Sequence, residues 1–145
     1  MLRKMFFLGL FVLSAAASAQ ATCKVELLLS IDAYNQEQID RAKNSMIEGV
    51  KAKGYEIVEK GSKSDLFLFY STEAAGVASA YWGRIRLSVP GLVDLVQQST
   101  YEESSWEAFV PVIQDRLVAS ALIALPAASA VAGYCKADPT VVDAQ

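Results

Sequence analysis

Gly54-Tyr55-Glu56-Ile57-Val58-Glu59-Lys60-Gly61 and Ser64-Asp65-Leu66-Phe67-Leu68-Phe69-Tyr70 are two strand-like runs joined by a short polar turn. In the first, Tyr55, Ile57 and Glu59 alternate with Glu56, Val58 and Lys60, the pattern of an outer strand. The second is apolar on both faces from Leu66 to Tyr70, which places it inside a sheet. Gly61-Ser62-Lys63-Ser64 reads as a hairpin turn between them.

Working back from Gly54, residues 35–53 read as a helix. Asn35 stands at the cap position and Gln38 three residues later completes a capping-box pattern. Lys51 and Lys53 fall in the last turn, and Gly54 supplies the stop. Ile39, Ala42, Met46, Gly49 and Val50 recur at helical spacing and form the stripe expected to face the sheet. Before it, Val25, Leu27, Leu28, Leu29 and Ile31 make a short apolar run with little alternation, as in a strand covered on both faces or nearly so. Strand, helix, strand is the resulting order.

Beyond Tyr70, the small residues from Ala74 to Ala80 read as a loop. Tyr81, Gly83, Ile85, Leu87 and Val89 then alternate with Trp82, Arg84, Arg86 and Ser88, one face core and the other wet. Pro90-Gly91 is a turn signal, and Leu92 to Gln97 suits a returning strand better than a short helix. Ser104 and Glu107 form a second capping box ahead of Trp106, Phe109, Val110, Ile113, Leu117, Ala121 and Ala124 at helical spacing. Pro111 either kinks that helix or makes it begin near residue 110. Ala127 to Ala132 reads as a small-residue linker and residues 136–145 as a frayed tail. These elements define an α/β (α+β) fold: a four- to five-stranded mixed sheet, βαβ then meander, with two main helices packed on one face and a right-handed first crossover.

The chain has 145 residues, 53% of them hydrophobic and 20% charged, which fits one globular domain. Arg3 and Lys4, the apolar run to Ala17, and Ala17-Ser18-Ala19 read as a secretory signal cleaved after Ala19, with Ala21 as a second site. Residues 20–135 are then the domain, and the expected localisation is periplasmic or secreted. Loss of Arg3 and Lys4 makes an already acidic chain more so. With no run of Lys or Arg to displace counterions, the chain is not expected to bind nucleic acid. Leu117 to Cys135 carries no charge, but Ser, Pro, Gly and many Ala make it a poor membrane span, and none is expected after signal cleavage. Cys23 and Cys135 are the only two cysteines. In an exported chain they are expected to pair with each other.

No catalytic, metal or phosphate motif stands out. The absence of histidine removes the Ser-His and Cys-His pairs and the usual zinc ligands, and no Ser-x-x-Lys pair is present. No cofactor or metal is expected. Asp65 and Asp94 are candidates for a pair of acid and base carboxylates, against the plainer readings of a turn residue and a solvent-facing one. Glu102-Glu103 could attract a cation or simply solvate a loop.

The helix followed by Gly54-Tyr55, then Asp65-Leu66-Phe67-Leu68-Phe69-Tyr70, with Asp94 and Trp106 later, resembles small α/β modules of the bacterial envelope, among them the amino-terminal domain of TolB. That resemblance covers roughly residues 24–107 and implies a mixed sheet with helices packed on it, and a protein-binding role in place of catalysis. The functional expectation is therefore an exported, non-enzymatic module that binds an envelope protein or polymer; the alternatives are a carboxylate-dependent enzyme and an exported inhibitor. If Ile85 and Leu87 face the helices, Trp82, Arg84 and Arg86 must project from the opposite face, the expected binding patch. The competing reading pairs those arginines with Glu56 or Glu26 and leaves Trp82 merely covering sheet.

Overall fold

The computed structural model describes residues 23–33, 35–76, 80–103 and 110–135. The expected signal peptide, the capping box at Ser104 and Glu107 with Trp106 and Phe109, and the tail from Lys136 lie outside that range.

Five strands form one mixed sheet: β1 (Lys24–Ile31), β2 (Glu56–Val58), β3 (Leu66–Ala74), β4 (Ala80–Val89) and β5 (Val93–Glu103), in spatial order β2-β1-β3-β4-β5. β1 pairs in parallel with both β2 and β3, while β3, β4 and β5 form an antiparallel meander. The expected architecture is thus present, with one correction. Gly61 to Ser64 does not turn a hairpin, because β2 and β3 lie on opposite sides of β1, and the segment from Glu59 to Asp65 instead carries the chain across it. β2 is also shorter than its alternation suggested. β5 is longer, running through a polar stretch to Glu103.

Two helices, α1 (Gln36–Ala52) and α2 (Val110–Ala124), pack on the same side of the sheet as Val25, Leu66, Leu68, Tyr70, Ile85 and Leu87. The start of α1 is fixed as its sequence implies: Asn35 Oδ1 accepts from the Gln38 backbone N–H at 2.9 Å, and Gly54 leaves the helix with φ +93°. Ala42, Met46 and Val50 are buried, and Ile39 is half-buried at the edge of the stripe. Pro111 is the second residue of α2 as described, consistent with the reading of a helix that starts near residue 110. Ile113, Leu117, Val118 and Ala121 bury its inner face. The two helices meet closely at Gly49, where an added Cβ would run into the Leu122 side chain. No single helix among the described residues is long and apolar enough to cross a membrane. Val112–Ala124 and Ala128–Tyr134 suffice only together, with a 55° bend between them.

The segment read as a linker is a 3-10 helix, Ala128–Tyr134, that belongs to the core. Its small side chains let it lie close: Ala128 N donates to Lys53 O at 2.8 Å, and Ala128 and Val131 are buried. Tyr55 fixes the approach by donating its hydroxyl to Pro126 O at 2.9 Å, and burial pushes its pKa up to about 12, so it stays a donor. Cys135 then bonds to Cys23, with 5.0 Å between the Cα atoms, and so ties this end of the chain to the start of β1.

At the other end of β1 a polar latch joins three elements. Thr72 Oγ1 accepts from Asp32 N at 3.0 Å and donates to Asp32 O at 3.1 Å, while Gln114 Nε2 of α2 donates to the same carbonyl at 3.0 Å. Deeper in the core the Tyr70 hydroxyl is fully buried and has no hydrogen-bond partner among the described residues. Burial alone raises its pKa far above the usual tyrosine value. Tyr70→Phe removes the unsatisfied group and is expected to leave stability unchanged or raise it by about 1 kcal/mol in urea unfolding. A loss of that size would mean that the hydroxyl has a partner in solution.

Candidate functional site

The sheet has a second face that neither helix covers. Strand alternation and the β3–β4 register put Phe67, Phe69, Ser71 and Glu73 of β3 there, opposite Ser88, Arg86, Arg84 and Trp82 of β4. β1 adds Glu26 and Leu28, in register with Phe67 and Phe69, and β5 adds Tyr101 beside Trp82. Trp82, Arg84 and Arg86 therefore project away from the helices, as their alternation with Ile85 and Leu87 requires. Both long apolar runs lie inside the sheet, but β1 differs from the expectation of cover on both faces, because the helices pack on only one side. Phe69 is 39%, Trp82 38% and Tyr101 41% exposed.

Aromatic and charged side chains interlock across this face. The Trp82 and Tyr101 rings are 4.9 Å apart and tilted by 53°. Arg84 reaches Glu73 at 3.2 Å and Arg86 Nε reaches Asp94 at 2.7 Å. The arginines do have cross-strand carboxylates, but these are Glu73 and Asp94 and not Glu56 or Glu26. Both pairs are well exposed, so each adds little to stability and leaves guanidinium donors for a ligand.

Toward the β4–β5 turn the open face deepens into a groove of 740 Å³. Glu26, Leu28, Phe67 and Phe69 lie along it, with Lys60 of the β2–β3 crossing segment on one flank and Arg86, Asp94 and the Pro90–Val93 turn on the other. The chain reverses over residues 89–92, with Pro90 at the second position and Gly91, φ +73°, at the third, the arrangement of a type II turn. Leu92 N closes it on Val89 O at 3.1 Å, and Leu92 projects from it 81% exposed.

The carboxylates considered for catalysis are otherwise engaged. Asp65 Oδ2 accepts from the Lys24 backbone N–H at 3.1 Å while its own N–H donates to Lys24 O, which clasps the starts of β1 and β3. Asp94 is held by Arg86. Glu103 accepts from the Tyr101 hydroxyl at 3.1 Å, and Glu102 lies 4.0 Å from Arg116. Among the described residues no group of three or more acidic or cysteine side chains could hold a metal ion. The sequence reading passed over Glu26 as a site residue, although a carboxylate between Val25 and Leu27 in an apolar strand is itself a signal.

No protein-family model matches the chain, and no curated protein matches it, so the likeness to the TolB amino-terminal domain rests on its short motifs alone. Solved structures do match. A PelC dodecamer from Paraburkholderia phytofirmans superimposes with a TM-score of 0.52 at 10% identity, over 70% of this chain and 86% of that one. A second crystal form of the PelC dodecamer gives 0.48 at 13% identity, over 74% and 91%. Lipoprotein GNA1162 from Neisseria meningitidis gives 0.43 at 10% identity, over 68% and 95%. At such identities the first likeness establishes a shared fold.

Proposed function

We propose that the chain is exported and acts without catalysis, as an envelope module that binds a protein or envelope polymer on the open sheet face through Trp82, Arg84 and Arg86. One observation carries this reading: a sheet face left uncovered by the helices displays exposed aromatic rings and two guanidinium groups together. Trp, Tyr and Arg are the side chains enriched at interface hot spots, where ring area and bidentate donors act at once. Tyr101 and Phe69 extend the patch on either side. Export rests on the amino-terminal signal pattern and agrees with a disulfide between the only two cysteines.

The test uses the mature, disulfide-bonded chain as bait in an envelope extract beside its Trp82→Ala/Arg84→Ala/Arg86→Ala variant. All three side chains are exposed, so the variant is expected to fold and melt within a few degrees of the parent. Capture of whatever the parent retains should be lost. Undiminished capture by the folded variant refutes the assignment. Intact mass of the exported protein before and after reduction checks the start of the mature chain independently.

A further inference from the structure

We infer that the groove beside this patch is a subsite for a primary ammonium group, the side chain of a lysine in an extended protein segment, with Glu26 as its counter-charge. The inference rests on the preceding reading of the open face as a binding surface and names the chemistry of its occupant. Glu26 is only 9% exposed, yet no hydrogen bond or ion pair to its carboxylate exists among the described residues. The other acids of the face are occupied: Asp94 by Arg86 and Glu73 by Arg84. Lys60 flanks the groove without forming an ion pair with Glu26. Its oxygens still reach solvent through the groove, but a carboxylate set this deep keeps only part of its hydration and has no cation paired with it among the described residues. A cation approaching from the open side would supply the counter-charge.

The surroundings of Glu26 select the kind of cation. Leu28 and Phe69 lie next along the groove, and Phe67 is in register with Glu26 itself. An apolar track ending in one carboxylate fits a lysine, whose methylene stem covers apolar surface while its ammonium takes the charge. A guanidinium would bring five N–H donors to a track walled by Leu28, Phe67 and Phe69, so those beyond the reach of Glu26 would lie against apolar surface. A compact hydrated cation would leave the apolar track unused.

The experiment titrates the mature, disulfide-bonded protein with a short peptide carrying one central lysine, followed by calorimetry and by amide NMR shifts of Leu28, Phe67 and Phe69. Parallel arms use the same peptide with Nε-acetyl-lysine, the same peptide with arginine, and a glucosamine oligomer. Saturable binding of the lysine peptide, weakened about tenfold or more by acetylation and equally by Glu26→Gln, is the expected result. Glu26→Gln keeps the shape of the side chain and breaks no hydrogen bond or ion pair among the described residues, so its melting temperature should match the parent's within a few degrees, which separates lost binding from lost fold. Equal affinity for Glu26→Gln and parent, equal affinity for the acetylated peptide, preference for the arginine peptide, or absence of lysine-peptide binding overturns the inference. Binding of the glucosamine oligomer alone also overturns it and points to an envelope polymer. If Glu26→Gln retains envelope capture while the Trp82, Arg84 and Arg86 variant loses it, the subsite fails and the binding face stands. If both retain it, both fail.

Discussion

Replacing Cys23 and Cys135 together by Ala is expected to lower the stability of the mature chain by about 4 to 5 kcal/mol, the largest effect of any change at a single linkage. The two residues are separated by 112 positions in sequence, so the bond closes nearly the whole domain into one loop. In the chain-entropy account that loop removes conformations from the unfolded ensemble while costing the folded state little. The folded state gains locally as well. Cys135 follows the 3-10 helix that covers the end of α1, and Cys23 is buried beneath it, its carbonyl accepting from Glu56 N at 2.9 Å. Without the bond, that helix is held by the Ala128 N–H to Lys53 O bond, the Tyr55 hydroxyl and two buried side chains. Urea unfolding with and without reductant measures the effect. The midpoint should fall steeply and the slope should rise, because the reduced unfolded chain exposes more surface. The melting temperature should drop by roughly 20 °C. A change below about 1 kcal/mol would mean that the reduced chain keeps its termini together without the bond.

How much of this molecule could be read from its sequence depends on whether the deciding interaction is local. The limits of α1 were legible because Asn35 and Gly54 act on backbone within one turn of themselves. The facing of β4 was legible because alternation is a property of a single strand, and it placed Trp82, Arg84 and Arg86 correctly on the side away from the helices. The neighbour of a strand is not a local property. Gly61 to Ser64 has turn chemistry that suits a hairpin and a crossing connection equally, and the choice was made by β1, which offers parallel edges to both β2 and β3. Edge position likewise hid the length of β5, since Gln97 to Tyr101 carries no apolar alternation and is held extended by its ladder to β4. The site was half legible for a related reason. An apolar run on both faces of β3 implies that both are covered, and the sequence cannot say that the described helices cover only one of them. Phe67 and Phe69 were therefore placed inside the sheet with no sign that they line a groove. The competing reading had Arg84 and Arg86 meet carboxylates across the strands, but naming Glu73 and Asp94 required the register.

Leu68→Ala and Phe69→Ala, adjacent on β3, should separate the two faces of the sheet by their energetics. Leu68 is fully buried against the helices, in register with Leu27 on one side and Leu87 on the other. Its truncation leaves a cavity in the middle of the core, where strand backbone cannot collapse inward, and is expected to cost about 3 kcal/mol, within the range of about 2 to 5 for such changes. Phe69 is the larger side chain and by size alone would cost more. It stands on the open face, however, 39% exposed beside Leu28 and Arg86, so its removal forfeits only partial contacts and should cost about 1 kcal/mol or less. Chemical unfolding of the two variants gives the comparison directly. Binding should show the reverse order, with Leu68→Ala retaining the partner wherever it is folded and Phe69→Ala losing it, because only the second changes the groove. Equal destabilisation by the two substitutions would mean that Phe69 is covered in solution, and the open face would then be no binding surface at all.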